Sequence, residues 1–145
     1  MIQLDRVTKL YRGGREALRD VSLDINPGDM IFLTGHSGAG KSTILKLIAL
    51  IERPTRGQLL VDGRNIGRLP SGDIPAYRRQ IGMVFQDHKL LEDRSAFDNV
   101  ALPLVIAGLT RRETDKRVRA ALDQVGLLGK ERQSPATLSA GEQQR

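Results

Sequence analysis

Residues 35–42 constrain this chain most, because their sequence, GHSGAGKS, fits the pattern G-x-x-x-x-G-K-[ST] at every specified position. In that pattern, backbone N–H groups of a glycine-rich loop surround phosphate groups, and the helix that follows adds the positive end of its dipole. We expect Lys41 to contact the β and γ phosphates and the Ser42 hydroxyl to ligate Mg²⁺. The alternative is an ordinary glycine-rich turn before a helix.

The flanking segments favour the phosphate-binding interpretation. Residues 30–34 are a short apolar run that predicts a buried strand, and residues 44–51 predict a helix that is apolar nearly all round. Strand, loop and helix therefore stand in the order that a phosphate-binding loop requires. The sequence predicts nucleotide binding.

Composition is that of an ordinary globular chain. With 145 residues, 39% of them apolar and 28% charged, the chain is long enough for one sizeable core. The net charge of +6 arises from Lys and Arg residues interleaved with acidic ones, and the chain has no Trp. No basic block or aromatic platform stands out, so no nucleic-acid partner is expected.

The chain is expected to be cytosolic. Its first residues lack the apolar core of a signal peptide, and the longest mainly apolar run, residues 100–109, is about half a membrane span. Cysteine is absent, which excludes disulfides and fits a reducing compartment.

Two strand-like runs, residues 2–11 and 16–25, predict an antiparallel hairpin at the start of the chain. Val21, Leu23 and Ile25 alternate and are expected to share one face. Tyr11 is a candidate for stacking on an adenine ring, and half-buried packing is the alternative.

A second polar candidate follows an apolar run further along. Residues 81–85 predict a buried strand, and Gln86 comes directly after it, where ligands bind at the carboxyl end of strands in α/β sheets. The alternative is that Gln86 is the first solvated residue of a loop. Before this point, residues 58–61 predict a short strand, and Asp73 predicts the cap of a short helix.

From residue 87 the pattern becomes helical. Two capping boxes are predicted, and Pro103 and Gly108 are expected to interrupt an apolar helix. A further helix is expected to bury a stripe and to end at a glycine. The capping boxes pair Ser95 with Asp98 and Thr110 with Glu113. The stripe comprises Val118, Ala121, Leu122 and Val125, and the glycine that ends the helix is Gly126.

Taken in order, Tyr11, the phosphate loop, Gln86 and residues 138–143 (LSAGEQ) resemble the ATP-binding subunits of ATP-binding-cassette (ABC) systems over the whole chain. The resemblance implies an α/β fold with a P-loop NTPase (RecA-like) core. Residues 1–86 would be the N-terminal part of that core with an antiparallel β subdomain. Residues 87–145 would be a helical subdomain ending in the ABC signature.

The resemblance also implies roles for the site residues. Tyr11 would stack on adenine, Gln86 would contact Mg²⁺ and water, and the signature of one subunit would close on the γ-phosphate held by the other, so that a homodimer sandwiches two ATP. The catalytic residues implied are Lys41 and Gln86, and the Mg²⁺ ligands are Ser42 and Gln86. The nucleotide-binding residues implied are Tyr11, Gly35, His36, Ser37, Gly38, Ala39, Gly40, Lys41, Ser42, Thr43, Ser139 and Gly141.

Residues 36–43, 52–55 and above all 78–88 resemble the cell-division branch of this family. That branch implies an integral membrane partner, a position on the cytoplasmic face of the inner membrane, and ATP turnover that gates cell-wall hydrolases. Subunits of lipoprotein-releasing and amino-acid-importing transporters are the alternative. Assignment as a P-loop kinase or GTPase would not account for both Gln86 and the signature. DNA-linked ABC ATPases carry a coiled coil, and the sequence has no sustained heptad pattern that would form one.

Two departures from the family pattern stand out. Ala140 occupies a signature position that is usually Gly, which matters if that residue needs positive φ. The second acidic motif with its catalytic Glu, and the switch histidine, have no match in the 145 residues. His36 and His88 fit neither role and are expected to be loop residues. We therefore expect a C-terminal part of the fold to be missing, and the 145 residues alone to be inactive and poorly folded.

Overall fold

The computed structural model describes residues 1–145, which form two compact units, Met1–Met83 and Val84–Arg145. No helix in it is both long and apolar enough to span a membrane. The first unit contains β1 (Ile2–Leu10), β2 (Glu16–Ile25), α1 (Lys41–Ile48), β3 (Arg56–Val61), β4 (Arg64–Asn65) and α2 (Ile74–Arg78). The second contains α3 (Ala96–Ile106), α4 (Arg111–Gln124) and α5 (Ala140–Gln144). Short 3-10 turns lie at Ile66–Arg68, Ser71–Asp73, Leu128–Lys130 and Pro135–Thr137.

The four strands of the first unit form an antiparallel sheet in the order β2-β1-β3-β4. The predicted hairpin is confirmed, with Leu4 opposite Leu23 on one side and Leu59 on the other. The alternation along β2 is also confirmed, because Val21, Leu23 and Ile25 are half-buried while Ser22 and Asp24 are exposed. The predicted short strand is β3.

A bulge bends this sheet near its centre. The register shifts between Leu4 and Val7, and Arg6 and Asp20 have φ of 46° and 49°. Gly57 lies against the bulge with φ of 83°, and a Cβ there would approach Arg6 O to 2.3 Å. Only glycine fits this position without moving the β1 backbone.

Helix α1 contributes to a single apolar core with the sheet. Leu4, Val7, Leu47 and Leu59 are each at most 2% exposed. The helix ends at Ile48 rather than at Ile51 as predicted, and Leu50 takes a left-handed φ of 51° while remaining buried. The full core is Leu4, Val7, Leu18, Ile44, Leu47, Leu50, Leu59, Ile66 and Leu69.

The predictions of strands at residues 30–34 and 81–85 are wrong for this structure. A strand persists only where a neighbouring strand pairs with its backbone. No strand of the sheet pairs with either segment. Phe32 is accordingly 76% exposed and Val84 86% exposed.

The second unit is built on α3 and α4, and both predicted capping boxes are present. The buried stripe of α4 is Thr114, Val118 and Leu122, at i, i+4 and i+8, whereas Ala121 is exposed. Val118 and Leu122 are buried in the core of this unit and Val125 packs against it, so the predicted stripe is wrong only at Ala121 and omits Thr114. Gly126 follows the helix with φ of 70°, as expected for a residue just past its end.

Pro103 does not interrupt α3, contrary to the prediction. Proline removes one backbone donor, but its carbonyl still accepts from Ala107 N at 3.0 Å. The helix ends at Ile106, and Gly108 with φ of 81° turns the chain away.

Candidate functional site

The glycine-rich loop takes a conformation that only its glycines allow. Gly38 and Gly40 have φ of 84° and 89°, and Gly40 is the N-cap of α1. A Cβ on Gly40 would lie 2.6 Å from both Ala17 O and a methyl carbon of Leu18 in β2. The hairpin therefore packs directly against the turn that starts α1.

The N-terminus of α1 presents unpaired backbone donors. The first helical hydrogen bond runs from Ile44 N to Gly40 O at 3.0 Å, and no side chain caps the helix. The N–H groups of Lys41, Ser42 and Thr43 consequently have no backbone acceptor. Ser42 is exposed and its hydroxyl makes no hydrogen bond. These groups fit phosphate oxygens and, at the hydroxyl, a hard cation.

Lys41 folds back across the loop. Its Nζ donates to Gly35 O at 2.6 Å and to His36 O at 2.8 Å. The ammonium is thereby held over the loop, where it adds a full positive charge to the partial charges of the helix N-terminus.

A cavity of about 800 Å³ joins this loop to the β1–β2 hairpin. Tyr11 lies on its wall, so the structure brings together the two predicted parts of the nucleotide site. No acidic side chain lines the cavity. Its lining residues are Tyr11, Arg12, Arg15, Ala17, Ser37, Gly38, Ala39, Gly40, Lys41, Ser42, Thr43 and Lys46.

Sequence reasoning missed three cations of this cavity: Arg12, Arg15 and Lys46. The signal was present for two of them, because they flank the Gly-Gly turn directly after Tyr11. Placing Tyr11 beside the loop places both arginines there as well. Gly35 and His36 do not line the cavity and contribute their carbonyls to Lys41 instead.

The remaining predicted residues lie in the second unit. Gln86 is exposed in a turn of the second unit, whereas the phosphate loop belongs to the first. Its contact with Mg²⁺ stays a prediction. His88 adopts a left-handed φ of 53° in the loop that follows, and His36 Nδ1 lies 2.8 Å from Ser37 O. The structure contains no group of three potential metal-ligating side chains.

Ser139 caps α5 through a box with Glu142. Ser139 Oγ accepts from Glu142 N at 3.4 Å, and the Glu142 carboxylate accepts from Ser139 N at 3.0 Å. Lys130 Nζ donates to the same carboxylate, which with Ser139 lowers the pKa of Glu142 to about 2. Ala140 has no positive φ, so the alanine causes no backbone strain.

Comparison with known proteins identifies the family. Residues 18–145 match the ABC transporter family. The chain is 57% identical over 145 residues to the cell division ATP-binding protein FtsE of Escherichia coli (strain K12), covering all of this chain and 65% of that protein. It is also 45% identical over 148 residues to the methionine import ATP-binding protein MetN of Aliivibrio fischeri, covering all of this chain and 43% of that protein.

Solved structures agree. A dimeric, post-hydrolysis structure of the ATP-binding cassette MJ0796 bound to ADP and phosphate superimposes with a TM-score of 0.91 at 34% identity. The match covers 99% of this chain and 65% of that one. The chain thus spans about 65% of the length of the FtsE relative and of this cassette. The α/β cassette fold and the family agree with the resemblance seen in the sequence, and this chain belongs to the ABC transporter family.

Proposed function

We propose that this chain is the ATP-binding part of an FtsE-type ABC ATPase, which couples ATP binding and hydrolysis to the integral membrane protein FtsX in bacterial cell division. The observation that carries the proposal is the phosphate loop: unpaired N–H groups, Lys41 and Tyr11 share one cavity without acidic residues. The 57% identity to FtsE of Escherichia coli supports the choice of branch.

The loop would bind the triphosphate through the N–H groups of Lys41, Ser42 and Thr43 and through the Lys41 ammonium. An ammonium already held over the loop needs little reordering to reach phosphate oxygens. Mg²⁺ would be held by the Ser42 hydroxyl and by Gln86, and it neutralises charge that builds up on the phosphates. Tyr11 would stack on the adenine.

Hydrolysis would need a second subunit. In the proposed homodimer, Ser139 and Gly141 of one subunit approach the triphosphate held by the other. Support comes from the dimeric structure of the related cassette and from the capping box, which presents Ser139 at the start of α5. The complex would lie on the cytoplasmic face of the inner membrane.

Lys41→Ala tests the site directly. The variant removes charge-assisted hydrogen bonds worth about 1.5–3 kcal/mol, which corresponds to a roughly ten- to hundred-fold loss of ATP affinity. Binding is measured by calorimetry on the chain joined to the part of Escherichia coli FtsE that lies beyond the aligned region; we call this chimera the extended protein. Lys116→Ala, an exposed lysine on α4, is the control. Unchanged ATP affinity in Lys41→Ala would refute the assignment.

A methionine importer is the second candidate, because MetN of Aliivibrio fischeri is 45% identical. The two candidates differ in the membrane partner. Copurification of the extended protein from membranes that contain both FtsX and a methionine-importer membrane subunit separates them. We expect FtsX to be recovered; recovery of the importer subunit alone would overturn the cell-division assignment.

A further inference from the structure

Lys9 is a buried charge beside the candidate base-stacking residue. It is 9% exposed, and its Nζ donates to Glu52 Oε2 at 2.7 Å and to Arg53 O at 2.9 Å. The same Nζ lies 5.0 Å from the centroid of the Tyr11 ring. One ammonium therefore contacts the Tyr11 ring and the segment that follows α1.

The cation covers one face of the Tyr11 ring. A cation at this distance attracts the electron-rich ring face, and the attraction strengthens when water is excluded. Lys9 is buried, so this contact restricts the orientation of the ring. Tyr11 is also the only aromatic residue that lines the cavity of the phosphate loop.

The contacts of Lys9 also set where this ring lies relative to the phosphate loop. Glu52 and Arg53 follow the C-terminal end of α1, and the N-terminus of α1 carries the unpaired donors. Lys9 thus ties the Tyr11 ring to the segment after α1, and α1 itself leads back to the phosphate loop. This connection fixes the distance between a base on Tyr11 and a phosphate at Lys41. A site fixed before binding loses less conformational entropy when the ligand arrives.

We infer that Lys9 is a positioning residue that orients Tyr11 to stack on the base of a purine nucleotide, so that base and phosphate are bound at a preset spacing. The inference rests on the proposed ATP binding. Lys9 would affect binding of the base, through Tyr11, and would leave binding of the phosphates by the loop unchanged.

The test compares ATP with inorganic tripolyphosphate, both with Mg²⁺, by calorimetry on the extended protein. Lys9→Met is expected to weaken ATP binding about three- to tenfold and to leave tripolyphosphate binding unchanged. Lys9→Arg, which keeps the charge, is expected to restore ATP affinity. Glu52→Gln keeps Lys9 but weakens the hydrogen bond that holds its ammonium. This variant should therefore weaken ATP binding less than Lys9→Met does, and it should also leave tripolyphosphate binding unchanged. Arg64→Met, which removes another ion pair of the first unit, is the control.

The double variant Lys9→Met with Tyr11→Ala is decisive. If Lys9 acts through Tyr11, this variant binds ATP no more weakly than Tyr11→Ala alone. Three results would overturn the inference: equal losses for ATP and tripolyphosphate, additive losses in the double variant, or no effect of Tyr11→Ala on ATP affinity. Failure of the proposed function is recognised separately, because Lys41→Ala would then leave ATP affinity unchanged.

Discussion

Glu142 shows how one carboxylate organises the start of the signature helix. It accepts hydrogen bonds from Lys130, from the Ser139 backbone and from the Ser139 hydroxyl, and all three favour its ionised form. A depressed pKa means that this contribution to stability is complete above the ordinary value of 4.5 and is lost as the pH falls toward about 2.

We predict that the Glu142 carboxyl titrates near pH 2 in the extended protein, as followed by ¹³C NMR of the side chain. Lys130→Met removes the largest cause of the depression, so the midpoint should rise toward 4.5. The control is Lys89→Met, which breaks an ion pair with Asp87 and should leave the titration midpoint of Glu142 unchanged. A wild-type midpoint near 4.5 would show that the pair with Lys130 does not form.

At the scale of residues, the sequence predicts which residues form the phosphate loop, but it does not predict the ion pairs between residues that are distant in the chain. Lys41 and Ser42 follow from a motif in which every position is close in the chain. The pair of Lys9 with Glu52 joins residues 43 apart, and local pattern carries no information on such a partner. Lys130 and Glu142 are likewise paired only by the fold.

Among the elements, α1 is held at its C-terminal end by donors from α2. Tyr77 Oη donates to Ile48 O at 2.6 Å, and Arg78 donates to Ala49 O at 3.1 Å and Leu50 O at 2.7 Å. These carbonyls have no partner within the helix, so the side chains replace water at a partly buried site.

Arg78→Ala is expected to lower the free energy of unfolding by about 1–3 kcal/mol, because it leaves two carbonyl groups without their charged donor. The measurement is urea unfolding of the extended protein. Arg79→Ala is a matched control, since the neighbouring Arg79 is exposed and its side chain makes no hydrogen bond. Equal effects of the two variants would contradict this account of the α1 terminus.

Elements were predictable where their determinants are local. The two predicted capping boxes, at Ser95 and Thr110, each depend on residues within one turn, and both form. The two apolar runs at residues 30–34 and 81–85 have equally clear patterns but do not form strands. Strand formation depends on a pairing partner elsewhere in the molecule, which the pattern of the run itself cannot supply.

For the whole molecule, these unpaired runs contribute the three most exposed large apolar side chains. Met30 is 81% exposed, Phe32 76% and Val84 86%, so large apolar side chains and free backbone groups face water together. Such segments favour self-association.

We therefore expect the 145-residue chain to self-associate in light scattering, and Phe32→Ser with Val84→Ser to reduce the effect. The control is Val105→Ser, which removes a 60% exposed apolar side chain from α3. The extended protein should scatter less than the chain alone. A monodisperse chain with a cooperative thermal transition and Lys41-dependent ATP hydrolysis would show that the expectation of an inactive, poorly folded chain is wrong.

Gly40 has a consequence for how sequence variation in the loop should be interpreted. A side chain there is excluded by Ala17 O, a backbone atom that no substitution at position 17 removes. A library selected for folding alone would thus already retain glycine at position 40, before any selection for nucleotide binding. Ser42, exposed and without a hydrogen bond, carries no such structural demand. Invariance at position 40 therefore reports on the hairpin, whereas invariance at position 42 reports on the ligand.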